Sequence, residues 1–354
     1  MKRPVHGGNL VWAAAQIGCP ASSILDFSAS INPLGPPQTA LDAIQGAFNS
    51  LNHYPDPNYT ELRQALSQWH QLSPDWVLPG NGAAELLTWA GRQLAQQAVT
   101  YVMTPAFRDY YRALQAFGAN IQPLAFPWQN PNTVITINNL REKHAGIIIN
   151  NPHNPTGKLL TRESLLPLLE KLALVVVDEA FMDFVPPSQQ QSLIPLIATY
   201  PNLVIVRSLT KFYSLPGLRL GYAIAHPNRL QQWQTWRDPW SVNSLAVAAG
   251  MAAIEDKTFE HNTRQWLLSA RQELFEGLLT IQGLKPIVSA VNFLLVETVI
   301  PSSQLQQELL QKYRILIRDC LSFTELGDRY FRIAVRTPTD NKKLLQALSE
   351  IFTH

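Results

Sequence analysis

Runs of apolar residues with the length of a β-strand alternate with helix-like stretches through the first two thirds of the chain. The apolar runs cover residues 99–104, 146–150, 174–177, 203–206 and 220–225, and helical spacing appears at 83–97 and 164–171. Continuous apolar runs of this length are typical of strands buried on both faces. The pattern therefore predicts an α/β region with a mostly parallel sheet covered by helices.

The pattern changes after residues 239–243. A long helical stretch covers 246–281, and shorter strand-like runs follow at 290–296, 315–318 and 330–335. A chain of 354 residues is long enough to divide into domains. We therefore expect a large α/β domain followed by a smaller α+β domain.

Charge and cysteine content exclude several classes of partner. The formal net charge is +2, charged residues make up 15% of the chain, and no long run of one sign occurs, so neither nucleic acid nor an anionic membrane is an expected partner. No apolar run approaches the roughly 20 residues that span a membrane. Cys19 and Cys320 are far apart and outside any metal-binding spacing, which favours reduced thiols in the cytoplasm and predicts no metal site.

Three motifs follow one another in the middle of the chain. They are residues 151–157 (Asn-Pro-His-Asn-Pro-Thr-Gly), 175–181 (Val-Val-Val-Asp-Glu-Ala-Phe), and 208–212 (Ser-Leu-Thr-Lys-Phe) with 216–221 (Pro-Gly-Leu-Arg-Leu-Gly). In this order they resemble the pyridoxal-phosphate (PLP) enzymes of the aspartate-aminotransferase fold, PLP-dependent transferase fold type I, over nearly the whole chain. The resemblance implies an N-terminal arm (1–34) alongside the small domain, a large PLP-binding domain (35–243) and a small C-terminal domain (244–354).

Two residues are the catalytic candidates. Lys211 matches the lysine that forms the Schiff base, and desolvation with neighbouring cations would make its amine nucleophilic. Asp178 ends a buried apolar run, where a carboxylate needs a partner, and the protonated pyridine nitrogen of PLP would be that partner. The alternatives are a solvated loop lysine and an aspartate that caps a helix or turn.

Further residues match cofactor contacts of the family. Asn154 would donate to the ring oxygen O3′, although turn chemistry alone also explains the Asn-Pro-Thr-Gly segment. The segment 80–85 precedes a helical stretch, so its N–H groups can hold the phosphate. The resemblance implies that Phe107 stacks on the ring and that Tyr54 comes from the partner subunit of a homodimer. It also implies a phosphate site made by Gly82, Ala83, Ala84, Ser208 and Arg219. Packing within a proline-rich turn is the alternative for Tyr54.

Arginines mark the expected substrate side. Arg332 lies where the family holds the substrate carboxylate with a bidentate clamp. Strand alternation places Arg336 on the same face as Arg332, and Arg318 is a third cation, so a substrate with two anionic groups would fit. His6 and Asn32 are further substrate-binding candidates. Solvated arginines at a strand edge are the alternative.

Two groups within the family share these features. Histidinol-phosphate aminotransferases share the general motifs, whereas the L-threonine O-3-phosphate decarboxylases of cobalamin biosynthesis also share the strings at 6–9, 25–29, 31–35, 178–181, 207–213 and 239–243. These strings include Phe181, where the family usually carries a tyrosine. We therefore expect decarboxylation of a phosphorylated amino acid, with amino transfer as the alternative. A non-catalytic, effector-sensing PLP-fold protein is a third possibility, which the presence of Lys211, Asp178 and Arg332 disfavours.

Overall fold

The computed structural model of the protein describes residues 3–126, 128 and 144–353. Its helices are α1 (Leu10–Ile17), α2 (Gln38–Gly46), α3 (Thr60–His70), α4 (Gly82–Leu94), α5 (Arg108–Gln115), α6 (Arg162–Lys171), α7 (Pro227–Gln234), α8 (Ser244–Glu255), α9 (Lys257–Leu279), α10 (Ser302–Tyr313) and α11 (Pro338–Thr353). Its strands are β1 (Leu25–Asp26), β2 (Val77–Asn81), β3 (Val99–Thr104), β4 (Ile121–Ala125), β5 (Ala145–Asn150), β6 (Leu174–Asp178), β7 (Leu203–Ser208), β8 (Leu220–Ala225), β9 (Leu284–Pro286), β10 (Phe293–Thr298), β11 (Ile315–Leu316) and β12 (Tyr330–Ala334).

The main sheet has the strand order β2-β8-β7-β6-β5-β3-β4. Strand β8 runs antiparallel to both of its neighbours, and the strands from β7 to β4 are parallel to one another. The predicted α/β class with a mostly parallel sheet is confirmed.

Both faces of this sheet are buried, which explains the continuous apolar runs. Along β6, Val175 and Val177 pack into one hydrophobic cluster, while Val176 packs into the cluster on the opposite face. Each of these three side chains is fully buried, and full burial of a valine contributes about 1.5 kcal/mol or more. The buried sheet therefore holds the residues at its strand ends in defined positions.

Among the described residues, a three-stranded sheet and a two-stranded sheet lie outside the main sheet. Strand β10 pairs antiparallel with β9 and β12. The short strand β1 pairs in parallel with β11, with Leu25 opposite Ile315, and the Phe27 N–H donates to the Leu316 carbonyl at 2.8 Å. Residues near position 26 therefore lie beside residues near position 316. The domain boundaries at residues 34 and 243 stay predictions.

The long helical stretch predicted at 246–281 is two helices. Helix α8 ends at Glu255, and Asp256 is the N-cap of α9, where its carboxylate accepts a hydrogen bond from the Phe259 N–H at 2.8 Å. Aspartate is preferred at N-caps because its side chain satisfies a helix N–H. Hydrophobic spacing continues across this junction, which is why the pattern alone does not reveal the break.

Within the described ranges, no helix is long and apolar enough to cross a membrane. Cys19 and Cys320 are both free thiols.

Candidate active site

The candidate site lies at one edge of the main sheet. Strands β3, β5, β6 and β7 are parallel, and β6 lies between β5 and β7. The register places Asn150, the last residue of β5, opposite Asp178, the last residue of β6. Carboxyl ends of neighbouring parallel strands form the usual ligand crevice of an open α/β sheet. The predicted site residues that follow these strands are therefore brought together.

A cleft of about 330 Å³ opens at this edge. Most of the predicted site residues line it, namely His6, Ala83, Ala84, Phe107, Asn154, Asp178, Ser208, Lys211, Arg219, Arg318 and Arg332. Phe181 also lines the cleft and packs edge-on against Phe293, with ring centroids 5.0 Å apart. The wall at this point is apolar.

The environment of Lys211 lowers the pKa of its ammonium group. Burial, followed by the charges of Arg332 and Arg219, lowers the pKa of Lys211 from its ordinary 10.5 to about 8. Asp178 opposes this shift with its negative charge. A lysine with such a pKa has a substantial neutral fraction near physiological pH, and the neutral amine is the nucleophile.

Asp178 is buried and held in a fixed orientation. Its Oδ1 accepts a hydrogen bond from the Ala180 N–H at 3.0 Å, and its Oδ2 accepts one from the Tyr110 hydroxyl at 2.7 Å. Burial raises the pKa of Asp178 to about 6, and the bonds from Tyr110 and Ala180 counteract that rise. A carboxylate in this setting would favour a cationic partner inside the cleft.

Tyr110 was not among the residues predicted from the sequence. It lies on α5 three positions after Phe107, with the two rings edge-on and their centroids 5.6 Å apart. Phe107 is the N-cap of α5, and its carbonyl accepts a hydrogen bond from the Tyr110 N–H at 3.1 Å. This spacing is the signal that could have identified Tyr110, but it is equally typical of packing aromatics.

The start of α4 forms a cradle that suits a phosphate group. Gly82 has φ +74°, a conformation that strains any residue with a Cβ, and a Cβ added there would lie 2.7 Å from Arg219 Nη2 and would displace the end of that side chain. Asn81 occupies the N-cap but its side chain makes no capping bond. Free N–H groups at a helix start beside a guanidinium are a favourable anion site.

Two hydroxyl groups also line the cleft. Ser208 Oγ lies 2.8 Å from Thr210 Oγ1, and Thr210 was not predicted from the sequence.

Arg332 reaches the cleft from β12. Its Nη1 donates to Asn154 Oδ1 at 2.6 Å and its Nη2 donates to the Ser28 carbonyl at 3.2 Å. Its buried Nε has no hydrogen-bond partner among the residues that the structure describes, and the guanidinium lies 5.0 Å from the centre of the Phe293 ring. Burial lowers the pKa of Arg332 to about 10. The side chain is thus oriented by the protein while one buried donor remains for a ligand.

Arg318 and His6 bring the beginning of the chain to the cleft. Arg318 pairs with Arg332 through a backbone bridge, and its guanidinium donates to the carbonyls of Pro4 and Val5. The His6 ring, which is exposed on one side, lies 5.5 Å from the Phe107 ring. Burial, and then the charge of Arg318, lower the pKa of His6. A neutral imidazole therefore faces the cleft near neutral pH.

Two substrate-binding candidates are directed elsewhere. Asn32 is buried, and its amide nitrogen donates to the Phe212 carbonyl and to Thr263 Oγ1, each at 2.8 Å. Arg336 makes an ion pair with Asp340 at 3.1 Å instead of lining the cleft. Strand β12 ends at Ala334, so the alternation assumed for Arg332 and Arg336 does not continue to residue 336.

Two cofactor candidates lie outside the cleft lining. Gly82 directly precedes the lining residue Ala83, and a Cβ at position 82 would meet Arg219. Tyr54 is 79% exposed and stacks on Trp240 with ring centroids 4.4 Å apart. In a single subunit, Tyr54 therefore faces solvent beside a partly exposed tryptophan.

Comparisons with known proteins agree with this architecture. The family described as aminotransferase class I and II matches residues 22–348. Threonine-phosphate decarboxylase of Salmonella typhimurium is 35% identical, with 98% of this chain and 96% of that protein covered.

Solved structures give the same fold. The histidinol-phosphate aminotransferase from Clostridium acetobutylicum superimposes with a TM-score of 0.84 and 28% identity, covering 93% of this chain and 99% of that one. The histidinol-phosphate aminotransferase from Sinorhizobium meliloti, solved in complex with pyridoxal-5′-phosphate, has a TM-score of 0.83, 22% identity and coverage of 98% and 97%. The fold predicted from the three motifs is confirmed, and the chain belongs to the class I and II aminotransferase family.

Proposed function

We propose that the protein is a PLP-dependent enzyme that decarboxylates L-threonine O-3-phosphate to (R)-1-amino-2-propanol O-2-phosphate. The observation that carries the proposal is the cleft in which Lys211, Asp178 and Arg332 meet. The 35% identity to a threonine-phosphate decarboxylase over nearly the whole chain supports decarboxylation in preference to amino transfer. The product would supply the nucleotide-loop linker of a corrinoid.

The cleft fits PLP in the chemistry of its donors. When bound, PLP withdraws electrons from the Cα atom of an amine substrate. Asp178 would hold the pyridine nitrogen in its cationic form, and the Lys211 amine would bond to the aldehyde. The cradle at Gly82, Ala83 and Ala84, with Ser208 and Arg219 beside it, would bind the phosphate. Phe107 and Asn154 would contact the ring.

The arginine side of the cleft would bind the substrate. We assign the carboxylate to Arg332, whose buried Nε has no partner in the described part of the chain, and the substrate phosphate to Arg318 and His6. Catalysis requires that the transition state be bound more strongly than the ground state, and decarboxylation removes the carboxylate charge. Arg332 would therefore fix the direction of the carboxylate rather than increase affinity for it.

Lys211 has a second task in this proposal. Once CO₂ has left, Cα must receive a proton, and the Lys211 ammonium lines the same cleft. A pKa of about 8 lets this group give up a proton far more readily than an ordinary lysine. One side chain would thus serve as nucleophile and later as general acid.

We further propose a cytoplasmic homodimer in which Tyr54 reaches the cofactor phosphate of the partner subunit. The stacked pair of Tyr54 and Trp240 is exposed, and Phe48 and Leu51, which are more than half exposed, lie on the 3-10 helix just before Tyr54. A surface with this many exposed apolar side chains supports a protein interface. A fully active monomer in sedimentation analysis would contradict the dimer.

The test of the function is product analysis in two parallel incubations. The PLP-loaded protein receives L-threonine O-3-phosphate in one, and histidinol phosphate with 2-oxoglutarate in the other. The proposal predicts CO₂ and amino-propanol phosphate from the first, with no requirement for a keto acid. Glutamate formed only in the second would instead identify a histidinol-phosphate aminotransferase, the alternative that the motifs left open.

A further inference from the structure

A carboxylate lies directly behind the proposed phosphate cradle. Glu85 belongs to the first turn of α4, and its Oε2 accepts a hydrogen bond from the Asn81 N–H at 2.6 Å. Its Oε1 accepts another from Trp89 Nε1 at 3.0 Å. A negative charge at a helix start is attracted by the same positive helix end that attracts a phosphate. Glu85 therefore orders the cradle, but its charge opposes the ligand that the cradle would bind.

Arg237 compensates this charge from outside the helix. Its Nε lies 3.2 Å from Glu85 Oε1, and the two side chains are only 3% and 15% exposed. Its Nη1 donates to the Pro79 carbonyl at 2.5 Å, within strand β2, which leads into the cradle. In a buried ion pair, removal of one partner leaves the other charge uncompensated in a poorly solvated position.

The same guanidinium adjoins the segment that carries the exposed tryptophan. It lies 5.9 Å from the centre of the Tyr59 ring. The Tyr59 hydroxyl donates to the Pro239 carbonyl at 3.2 Å and accepts from the Val242 N–H at 2.9 Å. These two positions flank Trp240, so Arg237 lies between the cradle and the proposed subunit contact.

We propose that Arg237 is a positioning residue for the cofactor phosphate. It neutralises Glu85, so that this carboxylate can hold the Asn81 N–H without repelling the phosphate bound at the start of α4. The inference rests on the proposed PLP site. Arg237 itself does not line the cleft and lies outside the family motifs of the sequence.

Comparing PLP with pyridoxal, which lacks the phosphate, separates this role from a merely structural one. Both molecules have the same pyridine ring, and only PLP has a phosphate for the cradle. Because the free 5′-hydroxyl of pyridoxal closes on its aldehyde, the affinity for each ligand is compared between variants. The dissociation constants of both are measured by fluorescence titration of the full-length protein. We expect Arg237→Met to weaken PLP binding roughly 10- to 100-fold through the uncompensated Glu85 charge, and to leave pyridoxal binding unchanged.

Two further variants make the test specific. The double variant Arg237→Met with Glu85→Gln removes both charges while keeping an acceptor for the Asn81 N–H, so we expect PLP affinity to recover to near the wild-type value. Arg229→Met is the matched control. Arg229 also reaches α4, through a 2.5 Å bond to Gln93 Oε1, but near the other end of that helix, and we expect both affinities to stay unchanged.

The outcomes distinguish this inference from the function on which it rests. Wild-type protein that binds PLP no more tightly than pyridoxal would overturn the proposed cofactor site and the inference with it. Suppose that the wild type prefers PLP and that Arg237→Met weakens the binding of both ligands equally, or of neither. That result would overturn the inference alone. Failure of the double variant to recover would also overturn it, because the recovery depends only on charge compensation.

Discussion

The two sides of the cleft are built in different ways. On the sheet side, Asp178 and Ser208 are the last residues of neighbouring parallel strands, and Lys211 follows three positions later. On the arginine side, Arg318 contacts Pro4, which is 314 positions away, and Arg332 contacts Ser28, which is 304 positions away. Strand register fixes the first side, whereas contacts between distant parts of the chain fix the second. We therefore expect substitutions on the sheet side to abolish the chemistry and substitutions on the arginine side to change its outcome.

The largest effect is expected from Lys211→Ala. Loss of both the nucleophile and the proton donor should reduce CO₂ release by roughly 10⁴-fold or more. The measurement is the rate of CO₂ release by PLP-loaded protein at saturating substrate. Lys158→Ala is the control, because Lys158 is half-buried but does not line the cleft. Activity within tenfold of wild type in the Lys211 variant would disprove its assigned role.

Arg332→Lys is expected to change the outcome of the reaction. Lysine keeps the charge but lacks the planar fork that orients a carboxylate, so CO₂ release should fall roughly 10- to 100-fold. Side transamination should rise at the same time. With L-threonine O-3-phosphate and 2-oxoglutarate, the amount of glutamate formed per CO₂ reports the change. An increase in KM alone, with the product ratio unaltered, would count against an orienting role.

The pH dependence of cofactor loading tests the electrostatics that link the two sides. Because the pKa of Lys211 is lowered to about 8, the rate of PLP loading should rise with pH up to about 8 and then level off. Replacing Arg332 by Gln removes a cation that lowers this pKa, so the plateau should shift to higher pH. Stopped-flow absorbance follows the loading. A profile that rises steadily to pH 10 in the wild type would contradict the low pKa.

The same shift has a consequence for the stability of the protein without cofactor. Between about pH 8 and the ordinary lysine pKa of 10.5, the unfolded chain keeps a proton on Lys211 that the folded chain has lost. The free energy of unfolding contributed by this group therefore increases with pH across that window. Urea denaturation of wild type and of Lys211→Met at several pH values isolates the contribution, which should be missing from the variant.

The smallest effect is expected from Arg336→Leu. Its partners are Asp340 and the Asp26 carbonyl, and the Asp340 pair is partly exposed. Such a pair contributes about 1 kcal/mol or less to stability, and KM for the substrate should change little. Comparing the KM of this variant with the KM of Arg332→Leu shows whether two or three cations on the arginine side bind the substrate. A large rise in KM for Arg336→Leu would restore the sequence-based expectation for that residue.

On the sheet side, the sequence predicted the position of Asp178 from a continuous apolar run, whereas Ser208 and Lys211 were identified through the family resemblance. The run ending at Val177 placed Asp178 at a buried strand end, where the structure has it. The arginine side was harder to predict. Alternation suggested a common face for Arg332 and Arg336, but β12 ends between them, and the first turn of α11 supplies Asp340 as a partner. Which partner a charged side chain meets depends on packing between distant segments, and hydrophobic spacing does not encode that packing.

Tyr110 shows that hydrophobic spacing also fails to reveal some contacts on the sheet side. Its hydroxyl orients Asp178 across 68 positions, yet on α5 it resembles any aromatic residue of a helix face. The roles of Gly82, Arg219 and Tyr54 were implied by the family resemblance. Of these, the structure gives a direct reason for glycine at position 82, where φ is +74° and a Cβ would displace the Arg219 guanidinium.

The central claim is that the cleft binds PLP through Lys211. It is tested most directly by reducing the PLP-loaded protein with borohydride, digesting it and locating the modified residue by mass spectrometry. We predict a pyridoxyl phosphate adduct on Lys211 and an unmodified Lys158. An adduct on another lysine, or none at all, would contradict the account.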